Sequence, residues 1–223
     1  MTLADKLKDN LPKKPSLTGN LFYHFYVLII KLILRINGSL HVEGKDNIPA
    51  EGGVIIASNH ISYLDPPLLC AALPRRATFM ARQGLFKIPL LRWFIKHYAF
   101  PVDREKTLPS TIKEAVKRLK SGELLVMFPE GRRSETGELL EGKRGIGMVA
   151  SISKAPVIPT LIIGSDKALP VDAKWLRRAR ISVIFGKPIA PYEEKGSNIY
   201  ETISQKIMYA IGEMKKHHGD NSS

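Results

Sequence analysis

GGVIIASNHISYLDPPLLCAAL, residues 52–73, changes its hydrophobic period part-way along. The opening GGVIIAS (52–58) is a short apolar run with β-branched side chains behind a glycine pair, the pattern of a buried strand. After Asp65, PPLLCAAL (66–73) suits a helix with proline in its first turn and Asp65 as N-cap. NHISYLD (59–65) therefore makes a strand-to-helix turn, and His60 stands near the C-terminal end of the strand. Open α/β sheets bind their ligands at that end. One stretch thus predicts both a fold class and the place of the chemistry.

The alternation continues in both directions. SLHVEG (39–44), ATFMA (77–81), HYAFPV (97–102), ELLVMF (123–128), PVIPTLIIG (156–164) and RISVIFG (180–186) read as further strands. Helical spacing appears at 89–96, opening on Pro89, and at 108–121, where Ile112, Ala115, Val116 and Leu119 share a face and Gly122 closes the helix. Residues 199–216 align Ile199, Ile203, Ile207, Ile211 and Met214. The expectation is an α/β fold: a mostly parallel or mixed sheet of about seven strands flanked by helices. Residues 1–37 form an amphipathic two-helix membrane anchor and 38–223 the α/β domain.

The charge balance narrows the partners. With 34 Lys and Arg against 21 Asp and Glu, the 223-residue chain carries +13, which calls for a polyanionic partner. The single cysteine, Cys70, excludes an internal disulfide framework and reads as a small buried helix residue. LFYHFYVLIIKLILRI (21–36) is too short and too charged to span a bilayer, and no small-residue cleavage site follows it. Its polar members His24, Lys31 and Arg35 fall on one narrow stripe, and the rest is apolar or aromatic. Upstream, Leu3, Leu7 and Leu11 recur among lysines before Pro12 and Pro15 interrupt the chain. Two such helices lie in the headgroup region of an anionic membrane surface, at the cytoplasmic face, or alternatively the second packs on the protein's own core.

Two apparent phosphate motifs fail on context. GELLEGK (137–143) is followed by Arg144 where a phosphate loop needs Ser or Thr. GIGMVA (145–150) follows a charged stretch instead of a strand. No Cys/His cluster has zinc spacing, so neither a metal nor another cofactor is expected. What remains is His60 with Asp65: the carboxylate can hold one ring nitrogen while the other takes a proton from a hydroxyl. Taken alone, the pair reads better as a loop histidine and a helix cap than as a catalytic pair. FPEGRRS (128–134), however, also leaves a strand end, with Gly131 permitting close approach and Arg132 or Arg133 able to hold a phosphate. VDR (102–104) leaves another, with Arg104 at its end.

These blocks resemble those of the glycerolipid acyltransferases that make phosphatidic acid from lysophosphatidic acid. NHISYLD is similar to their His-x4-Asp block, AFPVDR (99–104) to the second, FPEGRRS to the third and APVIPT (155–160) to the last. Ala99 and Phe100 depart from the small pair usual in the second block, and Arg132 replaces a frequent Thr. The resemblance implies that His60 deprotonates the 2-hydroxyl of 1-acyl-glycerol-3-phosphate for attack on an acyl-CoA or acyl-carrier-protein thioester. It implies that Asp65 orients His60, that Arg104 and Arg133 bind the phosphate, and that Glu130 and Gly131 shape its pocket. Phe86, Leu90, Trp93 and Phe94 would touch the acyl chain or the membrane. Another lysophospholipid acceptor, or a basic membrane- or nucleic-acid-binding protein without chemistry, is the alternative. A nucleic-acid partner is not expected, since no aromatic RNA-binding motif or basic recognition helix is present.

Overall fold

In the computed structural model, residues 17–88, 92, 95, 98–102, 109–170, 173, 175–190 and 198–219 are described. The chain runs α1 (Leu17–Asn37), β1 (Gly38–Glu43), β2 (Val54–Ser58), α2 (Asp65–Ala72), β3 (Ala77–Arg82), β4 (Ala99–Val102) and α3 (Pro109–Lys120). It continues through β5 (Leu124–Met127), α4 (Arg144–Ser153), β6 (Val157–Ile163), the single turn α5 (Ser165–Ala168), β7 (Ala179–Phe185) and α6 (Ile199–Gly219). All seven strands expected from the sequence are present and form one sheet in the order β1-β7-β6-β2-β5-β3-β4. Every pairing is parallel except β6 with β7, so the sheet is mixed.

Position in the sheet follows from composition. Every residue of β2 (VIIAS) and of β5 (LLVM) is buried, as strands covered on both faces must be, and both lie inside the sheet. β1 alternates half-buried with exposed residues through most of its length and takes one edge. Because side chains alternate across a strand, Val54 and Ile56 join a core beneath α1 and α2, whereas Ile55 and Ala57 join one beneath α3, α4 and α6. Ile203, Ile207 and Ile211 lie fully inside that second core, as their spacing predicts.

The order also creates a cleft. β2 and β5 are neighbours and point the same way, yet the chain leaves β2 for α2 on one face and β5 for α4 on the other. The two connections part above the C-terminal ends of the strands, opening the crevice in which α/β sheets hold ligands.

α1 has three faces. Tyr23 and Leu34 are buried in the core shared with α2, so the helix after residue 16 is fixed to the domain that follows it. His24, Lys31 and Arg35 are exposed together. Leu21, Phe25, Leu28, Leu32 and Ile36, at helical spacing, face outward, with Phe25 59% and Leu28 63% exposed. No described helix is long and apolar enough to cross a membrane. Residues 1–16, and all of the expected helix 89–96 except Arg92 and Ile95, lie outside the described residues.

Two helices were not anticipated, the single turn α5 and the longer α4. EGKRG reads as charged loop, but Arg144 already begins α4. Gly147 serves packing: a Cβ there would stand 1.9 Å from the Tyr200 carbonyl oxygen of α6. Gly147→Val should therefore force α4 and α6 apart and lower stability by roughly 1–3 kcal/mol, measured by urea unfolding. Cys70, buried beside Tyr23, has its thiol pushed up to about 12 by loss of solvation. It should resist alkylation by iodoacetamide until the protein is unfolded.

Candidate active site

The site begins with a carboxylate that has no access to water. Asp65 is fully buried, and burying a charge is costly unless hydrogen bonds replace its hydration. Its Oδ2 accepts from the backbone N–H of Ile61 at 2.7 Å and of Ser62 at 2.8 Å, and meets His60 Nδ1 at 2.7 Å. Its Oδ1 accepts from the Ser165 hydroxyl at 2.6 Å. The expected N-cap role is thus corrected: Asp65 is the first residue of α2, and its side chain turns back toward the NHISYLD turn. The reason lies in the sequence that follows. Pro66 and Pro67 have no N–H, Asp65 N–H donates to Ser62 O, and Leu68 N–H donates to Leu64 O, so the first turn offers no donor to cap.

Asp65 accepts only, so His60 Nδ1 carries the hydrogen and Nε2 presents its lone pair. The ring stacks on Phe128 with centroids 4.1 Å apart at 20°. The backbone of His60 is held as firmly as its ring. Its N–H donates to Glu130 Oε1 at 3.0 Å, and its carbonyl accepts from Ser134 N–H at 2.7 Å. The FPEGRRS segment thereby clamps the histidine from both sides of its peptide unit. Asn59 extends the sheet: its amide donates to Ile162 O at 3.0 Å and accepts from Ile162 N–H at 2.7 Å. Ser62 closes the turn through its hydroxyl, accepting from Leu64 N–H and donating to Leu169 O.

Glu130 is only 1% exposed, and its second oxygen accepts from Leu140 N–H at 3.1 Å. Burial raises its carboxyl above the usual range, and the two N–H donors pull it part of the way back. Glu130 is thus a strut inside the loop, shaping the site from behind. Gly131 has φ 70, and a Cβ there would stand 2.9 Å from Lys143 Cδ. Only glycine allows both the turn and the close passage of that lysine. Arg132 is exposed. Arg133 lies with its guanidinium carbon 3.9 Å over the ring of Tyr63, the exposed residue at the tip of the histidine turn. Among the described residues, no acceptor meets Arg133 Nε and no partner meets the buried hydroxyl of Ser134.

An apolar recess opens beside Phe128, between the ends of β3, β4 and β5 and the helices α3 and α4. Met80, Val102, Ile112, Met127 and Ile146 line it, with Thr111 and Lys143 as polar members. Sequence reasoning missed this recess because its walls come from five elements far apart in the chain. It missed Ser165 as well, a hundred residues from Asp65 and carrying no local signal. Of the other expected contacts, Phe86 is half-buried in the turn Gln83–Lys87, while Leu90, Trp93, Phe94 and Arg104 lie outside the described residues.

The fold and this site define an α/β protein in which a histidine at the sheet's C-terminal rim is held by a buried aspartate. A family model described as Acyltransferase matches residues 39–163, a span holding every hydrogen bond of the histidine clamp. The chain belongs to the acyltransferase family, and the protein is an acyltransferase. It is 34% identical over 195 residues to a 1-acyl-sn-glycerol-3-phosphate acyltransferase of Bacillus subtilis, covering 83% of this chain and 94% of that one. A Streptococcus pneumoniae protein of the same name is 31% identical, over 87% of this chain and 74% of that one. Among solved structures, the 1-acyl-sn-glycerophosphate acyltransferase PlsC of Thermotoga maritima matches with a TM-score of 0.74. That match covers 95% of this chain and 88% of the other at 23% identity, a likeness of fold.

Removing the Ser165 hydroxyl leaves a buried carboxylate with three of its four donors. Ser165→Ala should cost about 1.5–3 kcal/mol in urea unfolding, the range for a hydrogen bond to a charged group.

Proposed function

We propose that this acyltransferase moves an acyl group from an acyl-CoA or acyl-carrier-protein thioester to the 2-hydroxyl of 1-acyl-glycerol-3-phosphate, giving phosphatidic acid for phospholipid biosynthesis. The observation that carries the reading is the clamp on His60, because the segment that grips the histidine also bears Arg133. A base and a phosphate-binding cation are thereby held in fixed register, as an acceptor with a hydroxyl near its phosphate requires. The unpartnered Arg133 Nε and Ser134 hydroxyl are donors suited to phosphate oxygens. The names carried by the bacterial relatives agree with this acceptor.

In the reaction, His60 Nε2 takes the proton of the 2-hydroxyl as its oxygen forms a bond to the thioester carbonyl carbon. The tetrahedral intermediate collapses with cleavage of the carbon–sulfur bond, and the departing sulfur recovers the proton from the imidazolium. Asp65 holds the ring in the productive tautomer and stabilises the imidazolium. Arg133 anchors the phosphate, joined by Arg104, and Lys143 at the recess edge supplies further positive charge. The apolar recess beside Phe128 accommodates the acyl thioester. The acceptor lives in a membrane, and the outward stripe of α1 seats the enzyme on the cytoplasmic face as a peripheral protein.

Transfer of labelled acyl groups to lysophosphatidic acid in mixed micelles tests the chemistry. His60→Ala should lower kcat about 10²- to 10⁴-fold, the share of a general base, with a cooperative thermal transition, lowered by the lost bond to Asp65, showing that the fold survives. Full activity in that variant sinks the mechanism. Arg133→Ala should act chiefly on the acceptor KM. Phe25→Asp with Leu28→Asp should abolish co-sedimentation with vesicles, and undiminished binding would refute the seating of α1.

A further inference from the structure

The segment between β6 and β7 leaves the same rim of the sheet on which His60 stands. Its described residues on either side of Trp175 are tethered. Leu169 and Leu176 pack on the core shared with α1, Arg177 N–H donates to Ala168 O at 2.8 Å, and Leu169 O accepts from the Ser62 hydroxyl at 3.1 Å. Nevertheless Trp175 is 84% exposed, the most of any large apolar side chain described. Arg177 and Arg178 beside it are exposed, and neither pairs with a carboxylate among the described residues. An exposed indole next to two guanidinium groups that meet no carboxylate among the described residues matches the demands of a headgroup layer: a ring at the apolar boundary and cations among phosphates.

Its neighbour in the sheet favours lipid over protein as the occupant. β1 and β7 are parallel and in register from Gly38 with Ala179. The end of α1, with Arg35 and Ile36 exposed, and the run Trp175–Arg178 therefore leave the same end of adjacent strands. Exposed apolar side chains, Ile36 and Trp175, and exposed arginines, Arg35, Arg177 and Arg178, thus lie in the segments that precede the same end of the two strands.

We propose that Trp175, Arg177 and Arg178 form a second contact with an anionic lipid surface, separate from the stripe of α1. The Ser62–Leu169 hydrogen bond ties this contact to the turn that carries His60. α1 would hold the enzyme on the bilayer, and the second contact would set the mouth of the site down upon it. The inference rests on the interfacial reading of α1, but its test requires no catalysis.

The test uses the full chain with vesicles of phosphatidylcholine and phosphatidylglycerol. In co-sedimentation, Arg177→Gln and Arg178→Gln should each weaken binding about fivefold. Trp175→Ala should weaken it by a comparable factor, with the urea midpoint of all three unchanged because the side chains are exposed. In a Trp93→Phe chain, vesicles should shield Trp175 from quenching by aqueous acrylamide. Wild-type binding by these variants, with Trp175 as open to acrylamide as before, overturns the proposal and assigns the segment to a protein partner. If they bind normally while the α1 variants do not, only the second contact fails. An inactive protein that still shows the shielding leaves the contact intact.

Discussion

A carboxylate with no water around it organises the site. Asp65 exists in the interior only because two backbone N–H groups, a histidine and a serine supply the bonds that water would have made. Each of those donors is thereby pinned. The Ile61 and Ser62 N–H groups fix the path of the turn, His60 is held in one tautomer, and Ser165 ties the start of α5 to the start of α2. The two prolines make this possible by leaving the first turn of α2 without donors that would compete for the oxygens.

The second constraint is the grip on the His60 backbone. Glu130 and Ser134 hold its N–H and its carbonyl, so the turn after β2 and the loop after β5 form one body although 70 residues separate them. The strand order puts them together. β5 returns to lie beside β2 after the chain has built β3 and β4 farther out, and the two connections then leave on opposite faces. The sheet brings the strand ends side by side, and the hydrogen bonds convert that proximity into a rigid arrangement. Buried polar contacts of this kind are safe only when every member is satisfied, as Glu130 is by two N–H groups.

The exterior follows a different rule. α1 is apolar over most of its circumference, but Tyr23 and Leu34 use only one arc in the core. The outward stripe has nothing to cover it among the described residues, and the polar stripe beside it is basic. That combination suits a boundary between apolar and anionic surroundings better than open water.

Much of this was legible in local pattern. The alternation of short apolar runs with helical spacing announces the seven strands and the mixed α/β sheet, because burial on both faces leaves an unmistakable composition. NHISYLD and FPEGRRS mark the two strand-end segments that the structure brings together around His60, because both carry their polar residues directly after a buried strand. α4 escaped, since its two glycines weaken the helical pattern, and one of them, Gly147, is there for the backbone of α6. The helix-cap reading of Asp65 also failed, since the backbone donors it accepts from, Ile61 and Ser62, precede it in the chain. Ser165, the Arg133–Tyr63 contact and the apolar recess came only from tertiary structure. Each joins residues far apart in sequence, and a local pattern carries no record of which distant backbone donor will satisfy a buried charge.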